Sequence, residues 1–170
     1  MPHPFDILPL KNGAKFVFTP CPGTKDTSVS EALETLKEAG AKNIITVLSD
    51  DEIESLSVSS LERDTAAKNI AWYQLPIEDD CEPAESFKGA WELAKNELLA
   101  LIEHKETIAI HCRGGSGRTG LMAAILLLET GEAWEDVKQK IQSIRPKALT
   151  HPAHINYLKT HYSNRGNYVY

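Results

Sequence analysis

The residues best equipped for chemistry in this chain are crowded into one stretch, His111-Cys112-Arg113-Gly114-Gly115-Ser116-Gly117-Arg118-Thr119, set between apolar residues 108–110 and an unbroken apolar run at 121–128. A free thiol, with a pKa of about 8.5, is only a few per cent ionised at neutral pH, and the thiolate is the nucleophile. The flanking pattern reads strand–loop–helix, which places Cys112 just ahead of a helix N-terminus with Arg118 close by. Both features favour the ionised thiol. Gly114, Gly115 and Gly117 let the backbone curl so that successive N–H groups point inward, a nest for an oxyanion. Arg118 adds a planar fork that grips two oxygens of one phosphate. Arg113 and Ser116 complete the cradle through their backbone N–H groups, leaving their side chains to tune what enters. An anion cradle with a thiolate at its floor is built for in-line attack on phosphorus. A nucleotide-binding loop is excluded: aligning G-x-x-x-x-G-K-S/T on Gly117-Arg118-Thr119 puts cysteine in place of the first glycine and arginine in place of lysine.

The elements that must hold this loop can be read from periodicity. Residues 14–18, 43–48, 71–77 and 107–112 read as strands, with Pro76 ending the pairing of the third. Helical spacing runs through Val29, Ala32, Leu33, Leu36 and Ala39, with Gly40 placed to stop it. Phe87, Trp91, Ala94, Leu98 and Leu101 make one face of a long helix whose first turn would hold Pro83. A buried helix begins near Thr119. Trp134, Val137, Ile141 and Ile144 mark another that Pro146 terminates, and residues 151–162 supply the last. Residues 50–68 are polar, with two weak helical patterns. Strands alternating with helices predict a single α/β domain, a mostly parallel sheet flanked by helices, with a core at about 15–162 and a tail at 163–170. In such sheets, loops at the carboxyl ends of strands form the site, and residues 76–83 and 111–119 are both loops of that kind.

Composition narrows the function classes. A net charge of −6 over 170 residues argues against a nucleic-acid or membrane-surface scaffold. The N-terminal residues lack a basic region followed by a sustained apolar core, so the expected compartment is the cytoplasm. The three cysteines, Cys21, Cys81 and Cys112, form no CxxC pair and read as free thiols, not a disulfide framework or zinc site. His151 and His154 have metal-pair spacing but no obvious third ligand, so a polar helix face is the better reading. Trp72, Trp91 and Trp134 read as core aromatics.

The loop matches H-C-x-x-G-x-x-R-S/T, and on those residues the chain resembles the cysteine-dependent tyrosine and dual-specificity protein phosphatases. The resemblance implies that Cys112 forms a phosphocysteine, that Arg118 binds phosphate, that the Thr119 hydroxyl eases turnover of the thiolate, and that His111 supports it from behind. It also implies an aspartic acid some thirty residues earlier that protonates the leaving oxygen, a role that contributes typically about 10²–10⁴-fold. Within Leu75-Pro76-Ile77-Glu78-Asp79-Asp80-Cys81-Glu82-Pro83, Asp79 fits best, Asp80 is its competitor and Glu78 a distant third. Residues 19–26, 40–53 and 75–83 resemble the kinase-associated group, the cyclin-dependent-kinase-inhibitor type. The resemblance implies a metal- and cofactor-independent monomer acting on phosphoproteins, with no nucleic-acid or membrane partner.

There are departures. The larger tyrosine-specific members place their hydrolytic water with a glutamine, and Leu149-Thr150-His151-Pro152-Ala153-His154 has none. They also deepen their pocket with an N-terminal segment for which this chain has no room, so phosphoserine and phosphothreonine are expected substrates alongside phosphotyrosine. Two alternatives stand beside this reading. One is an inositol-lipid phosphatase, for which the loop offers only Arg113 as an extra cation. The other is a phosphoprotein- or kinase-binding module with incidental catalysis. Cys81, next to the expected acid, could bridge to Cys112 on oxidation, though a plain loop thiol is the simpler reading.

Overall fold

Residues 108–110, Ile-Ala-Ile, are fully buried because their strand lies at the centre of a sheet with both faces covered, which is why the run is apolar throughout and not alternating. In the computed structural model, which describes residues 2–163, one five-stranded sheet organises the chain. The strands are β1 (Asp6–Pro9), β2 (Lys15–Thr19), β3 (Asn43–Thr46), β4 (Ala71–Gln74) and β5 (Thr107–His111). The helices are α1 (Val29–Glu38), α2 (Asp50–Ser55), α3 (Leu61–Ala67), α4 (Glu85–Glu103), α5 (Gly117–Glu129), α6 (Trp134–Gln142) and α7 (Pro152–Tyr162). Spatial order is β1-β2-β5-β3-β4, with β1 antiparallel to β2 and every other pairing parallel. None of the helices among the described residues is long and apolar enough to cross a membrane. The tail expected at 163–170 falls outside the described residues except for Ser163.

Register explains where a site must form. His111 pairs with Thr19 of β2 on one side and Thr46 of β3 on the other. The three strands end level, so the loops that follow them gather around the residue after His111, which is Cys112. The helix α5 leaves that loop directly into the core: residues 118–128 are all buried, between the sheet and α4, α6 and α7.

The expected elements are present with shifted ends. The strands at 43–48 and 71–77 are shorter, 43–46 and 71–74, because the chain turns away to build loops at the sheet's carboxyl edge. Pro83 lies outside α4, ahead of the N-cap Ala84, so it stops the preceding loop instead of opening the helix. α5 starts two residues earlier than expected, which puts Arg118 and Thr119 in its first turn. The polar region 50–68 does carry two helices, α2 and α3. β1 gives no sequence signal, because four residues ending in Pro9 carry no usable alternation; a proline is tolerated there because the strand is at the sheet edge. Trp91 and Trp134 are core residues, whereas Trp72 is only partly buried.

One contact fixes α5 against the segment leading to α7. A methyl group on Gly120 would lie 2.6 Å from the Cβ of Ala148. Gly120→Ala should therefore destabilise the fold by about 1–3 kcal/mol through overpacking, and Ala148→Gly in the same chain should recover part of that loss. Urea denaturation of the single and double variants measures both; a Gly120→Ala midpoint equal to wild type would contradict the close approach.

Candidate active site

Cys112, 4% exposed, sits at the floor of a cavity of about 390 Å³ lined by Thr24, Lys25, Leu56, Asp79, Arg113, Gly114, Ser116, Gly117 and Arg118. Two donors face its sulfur: the backbone N–H of Gly115 at 3.4 Å and the hydroxyl of Thr119 at 3.3 Å. Thr119 thus spends its hydroxyl on the sulfur and not on capping α5, whose N-cap residue is Ser116.

The loop's curl depends on Gly115. Its φ is +81°, and a Cβ there would fall 2.5 Å from the carbonyl carbon of Thr19, so only glycine fits against the end of β2. Three contacts clamp the loop from outside. Cys21 N–H donates to the Arg113 carbonyl at 2.9 Å, Val47 N–H donates to the His111 carbonyl at 2.9 Å, and Arg145 Nε donates to the Gly115 carbonyl at 2.8 Å. Arg145 also binds Asp6 through Nη1 at 2.7 Å, tying the loop to β1.

Arg118 is 3% exposed, and its guanidinium is held end-on by Glu52: Nη1 to Oε1 at 2.7 Å and Nη2 to Oε2 at 2.8 Å. Nη1 also donates to the Ile77 carbonyl at 2.9 Å. Burial opposes the charge, but the Glu52 hydrogen bonds and the charges of Cys112, Glu52 and Asp79 outweigh it and hold the guanidinium pKa above its ordinary value. Arginine has five N–H donors. With both on Nη1 and one on Nη2 engaged, the two left lie on adjacent nitrogens, Nε and Nη2, a fork for two oxygens of one anion. Asp79 Oδ1 stands 3.6 Å from that Nε.

His111 is completely buried behind the loop, and burial pushes its pKa down to about 4, so the ring is neutral. Its Nδ1 donates to the Cys112 carbonyl at 3.0 Å, and its Nε2 meets the Thr46 hydroxyl at 2.7 Å. Thr46 in turn accepts from Trp72 Nε1 at 2.8 Å. One direction of donation satisfies every group: Trp72 to Thr46, Thr46 to His111, His111 to the Cys112 carbonyl.

The structure therefore gathers Cys112, Arg113, Gly114, Gly115, Ser116, Gly117, Arg118, Thr119 and Asp79 in one place, with His111 behind them. Asp80, in the left-handed region at φ 59°, turns away; its carboxylate lies 3.6 Å from His151 Nε2. Glu78 is exposed and lines no part of the cavity. All three cysteines are free. Cys81 is exposed, and the thiol that feels the charge of Cys112 is the buried Cys21, whose own pKa burial pushes up to about 12. His151 and His154 do not form the polar helix face expected of them. His151 caps α7, its Nδ1 accepting from Ala153 N–H at 3.1 Å, and His154 is buried. Glu52, Arg145, Thr24 and Lys25 are site residues that sequence reasoning missed. Glu52 had a faint signal, an acid at the start of a weak helical pattern.

Residues 23–162 match the model of a family described as "PTP-SAK: Swiss Army Knife protein, DSP-PTPase phosphatase domain". The chain is 28% identical over 125 residues to protein tyrosine phosphatase type IVA 3 of Bos taurus, covering 73% of this chain and 66% of that protein. It is 28% identical over 118 residues to cyclin-dependent kinase inhibitor 3 of Rattus norvegicus, covering 69% of this chain and 54% of the relative. The chain thus spans from 54% to 66% of the length of these curated relatives. Among solved structures, kinase associated phosphatase with its catalytic-site cysteine substituted by serine superposes with a TM-score of 0.83 at 23% identity, covering 99% of both chains. Human DUSP28 superposes with a TM-score of 0.67 at 17% identity, covering 98% of this chain and 97% of that one. These superpositions establish a shared fold.

Two measurements test the site's electrostatics. Glu52→Gln leaves a buried guanidinium without its counter-charge and should cost about 3 kcal/mol of stability, whereas Glu54→Gln, on an exposed neighbour, should cost less than about 0.5 kcal/mol. Equal urea midpoints for the two variants would remove Glu52 from its place. The second concerns His111 and His154, both pushed down to about 4 by burial from an ordinary value of 6.5. Between those values the unfolded chain binds more protons than the folded one, so stability present above pH 6.5 is lost as pH falls. Each ring should contribute a slope of about 1 kcal/mol per pH unit in that window. A urea midpoint unchanged from neutral pH to about pH 5 would contradict buried, neutral rings.

Proposed function

The chain belongs to the DSP-PTPase phosphatase family, and from that premise we propose that it hydrolyses phosphotyrosine, phosphoserine and phosphothreonine monoesters of proteins through a phosphocysteine on Cys112. One observation carries the reading: the Cys112 sulfur, faced by two donors, shares its cavity with the two unused N–H groups of Arg118 and with the Asp79 carboxyl group. The Cys112 thiolate attacks phosphorus while Arg118 and the loop N–H groups bind the non-bridging oxygens. The P–O bond to the substrate breaks, and the leaving oxygen takes its proton from Asp79. A water then gives a proton to the Asp79 carboxylate as its oxygen attacks phosphorus. The P–S bond breaks, its electrons return to Cys112, and the hydroxyl of Thr119 stabilises the thiolate released. His111, neutral and a donor to the Cys112 carbonyl, fixes the backbone from which the nucleophile projects.

Dual specificity is supported by the cavity's walls. Among the described residues that line it, none is aromatic, so no ring clamps a phenyl group, and Thr24, Lys25 and Leu56 leave room for a shorter alkyl phosphate. The reading needs neither metal nor cofactor. Free thiols, one of them the nucleophile, fit action in the reducing cytoplasm, and we assign the chain as a monomer. A second reading, inositol-lipid hydrolysis, is favoured by the exposed Lys25 and Arg113 on the cavity wall, which could meet further phosphate groups.

Hydrolysis of an aryl phosphate should be abolished by Cys112→Ser and lowered about 10²–10⁴-fold in kcat by Asp79→Asn, with Asp80→Asn close to wild type and no loss in EDTA. Full activity of Cys112→Ser would end the mechanism. A panel of phosphotyrosyl and phosphothreonyl peptides beside phosphoinositide vesicles separates the two substrate readings, peptides being turned over with the higher kcat/KM.

A further inference from the structure

Two cations on the wall of the reaction cavity, Lys25 and Arg113, have no task in the mechanism above. Both are exposed, and among the described residues neither side chain makes an ion pair or a hydrogen bond. The other arginines at the site are committed: Arg118 is balanced by Glu52, and Arg145 by Asp6. The thiolate of Cys112 therefore faces an incoming phosphate dianion with Lys25 and Arg113 as the uncompensated positive charges lining the cavity. Unpaired cations at the rim of a cleft attract anions, and they select among them.

The fold holds both cations on one unit. Residues 21–24 form a tight turn in which the N–H and the hydroxyl of Thr24 donate to the Cys21 carbonyl at 3.3 and 2.6 Å. Gly23, with φ +91°, has no room for a Cβ, which would fall 2.6 Å from Val29 and 3.0 Å from Val58. The turn is thus pressed against α1 and the segment after α2, and it brings Thr24 and Lys25 to the cavity. The Cys21 N–H donates to the Arg113 carbonyl at 2.9 Å, so the two loops that carry the cations are bonded to each other. The acid loop carries the opposite sign, with Glu78, Asp79, Asp80 and Glu82 all exposed. An anionic bilayer closing on the cavity would be repelled by that loop, whereas a peptide can set one acid against Lys25 and Arg113 alone.

We propose that Lys25 and Arg113 form a subsite for a second anionic group beside the reacting phosphate. The favoured substrates are then phosphoproteins with an Asp or Glu within two residues of the phosphorylated one. An extended chain advances about 3.3–3.6 Å per residue, so an acid that near stays within reach of the wall of a cavity of about 390 Å³. Lys25 brings a point charge on a flexible stem, and Arg113 a planar fork that matches a carboxylate. The contact is the same before and during phosphoryl transfer, so it acts on KM and leaves kcat to Cys112, Arg118 and Asp79. The inference deepens the phosphoprotein reading proposed above and rests on it.

Initial rates on two phosphotyrosyl peptides, alike except for Glu or Gln on both sides of the phosphorylated residue, test this in wild type, Lys25→Gln, Lys25→Arg and Lys25→Glu. Wild type should favour the Glu peptide about fivefold in kcat/KM, carried by KM. That ratio should fall toward one in about 1 M salt, where the Debye length is about 3 Å. Lys25→Gln should lower the ratio to about twofold, Lys25→Arg should keep it, and Lys25→Glu should bring it to one or below. A wild-type ratio of one, the same ratio in wild type and Lys25→Glu, or a preference that appears in kcat with KM unchanged would each overturn the inference and leave the phosphoprotein reading in place. Turnover of phosphoinositide vesicles with neither peptide hydrolysed would instead overturn the phosphoprotein reading, and the inference with it.

Discussion

A guanidinium taken out of water and given one carboxylate is the constraint around which the rest is arranged. Removing Arg118 from solvent is costly, and the cost is offset only if its donors are nearly all engaged in good geometry. Glu52 supplies two hydrogen bonds and the opposite charge, and the Ile77 carbonyl supplies a third. These contacts bind two separate parts of the chain to the first turn of α5: the start of α2 and the acid loop. They also decide what remains. The donors on Nη1 are used up, and the pair left over lies on the side facing the cavity, so the structural ion pair sets the orientation of the anion-binding fork.

Cys112 is held by a different kind of order, a one-way chain of hydrogen bonds. Trp72 can only donate and the Cys112 carbonyl can only accept, which fixes the direction through Thr46 and His111 between them. A charged imidazole would break that direction, because its second N–H would also point at the Thr46 oxygen and take away the acceptor that the Thr46 hydroxyl proton uses. Burial already disfavours the charge, so packing and hydrogen bonding agree on the neutral ring. From the outside, Arg145 holds the Gly115 carbonyl, while the Gly115 N–H, in the peptide before it, faces the Cys112 sulfur.

What the sequence made legible was local. The strand–glycine loop–helix unit is contiguous, so its residue types announce their geometry, and Asp79 follows a short pattern within one loop. The parallel sheet followed from the alternation of elements. Glu52 was not legible because its partner is 66 positions away and the surrounding region is rich in acids, any of which would look like a solvated face. Arg145 resembled an ordinary helix-end cation before a proline. β1 is too short, and too disturbed by Pro9, to show a period. His154 is illegible for a related reason: histidine is common on polar faces, and nothing local in the sequence marks this one as buried. Long-range pairing, not local propensity, separates the residues that were read from those that were not.

The acid loop shows how neighbouring carboxyl groups can be given unlike surroundings without help from sequence context. Asp79 and Asp80 are adjacent, yet a left-handed backbone at Asp80 sends the two side chains apart, one to Arg118 in the cavity and one to His151 at the cap of α7. Glu78 remains in solvent. The separation matters because an incoming phosphate dianion would be repelled by a cluster of three carboxylates, but meets only Asp79. Asp79 also occupies the approach to the Nε donor that the dianion needs. A phosphate taking that donor displaces the Asp79 carboxyl group from Arg118 but leaves it on the cavity wall. The Ile77 carbonyl and the Asp80–His151 contact anchor the loop on either side of it. In the proposed reaction, the leaving oxygen would depart, and the water would later arrive, on the side of the phosphate that faces this carboxyl group.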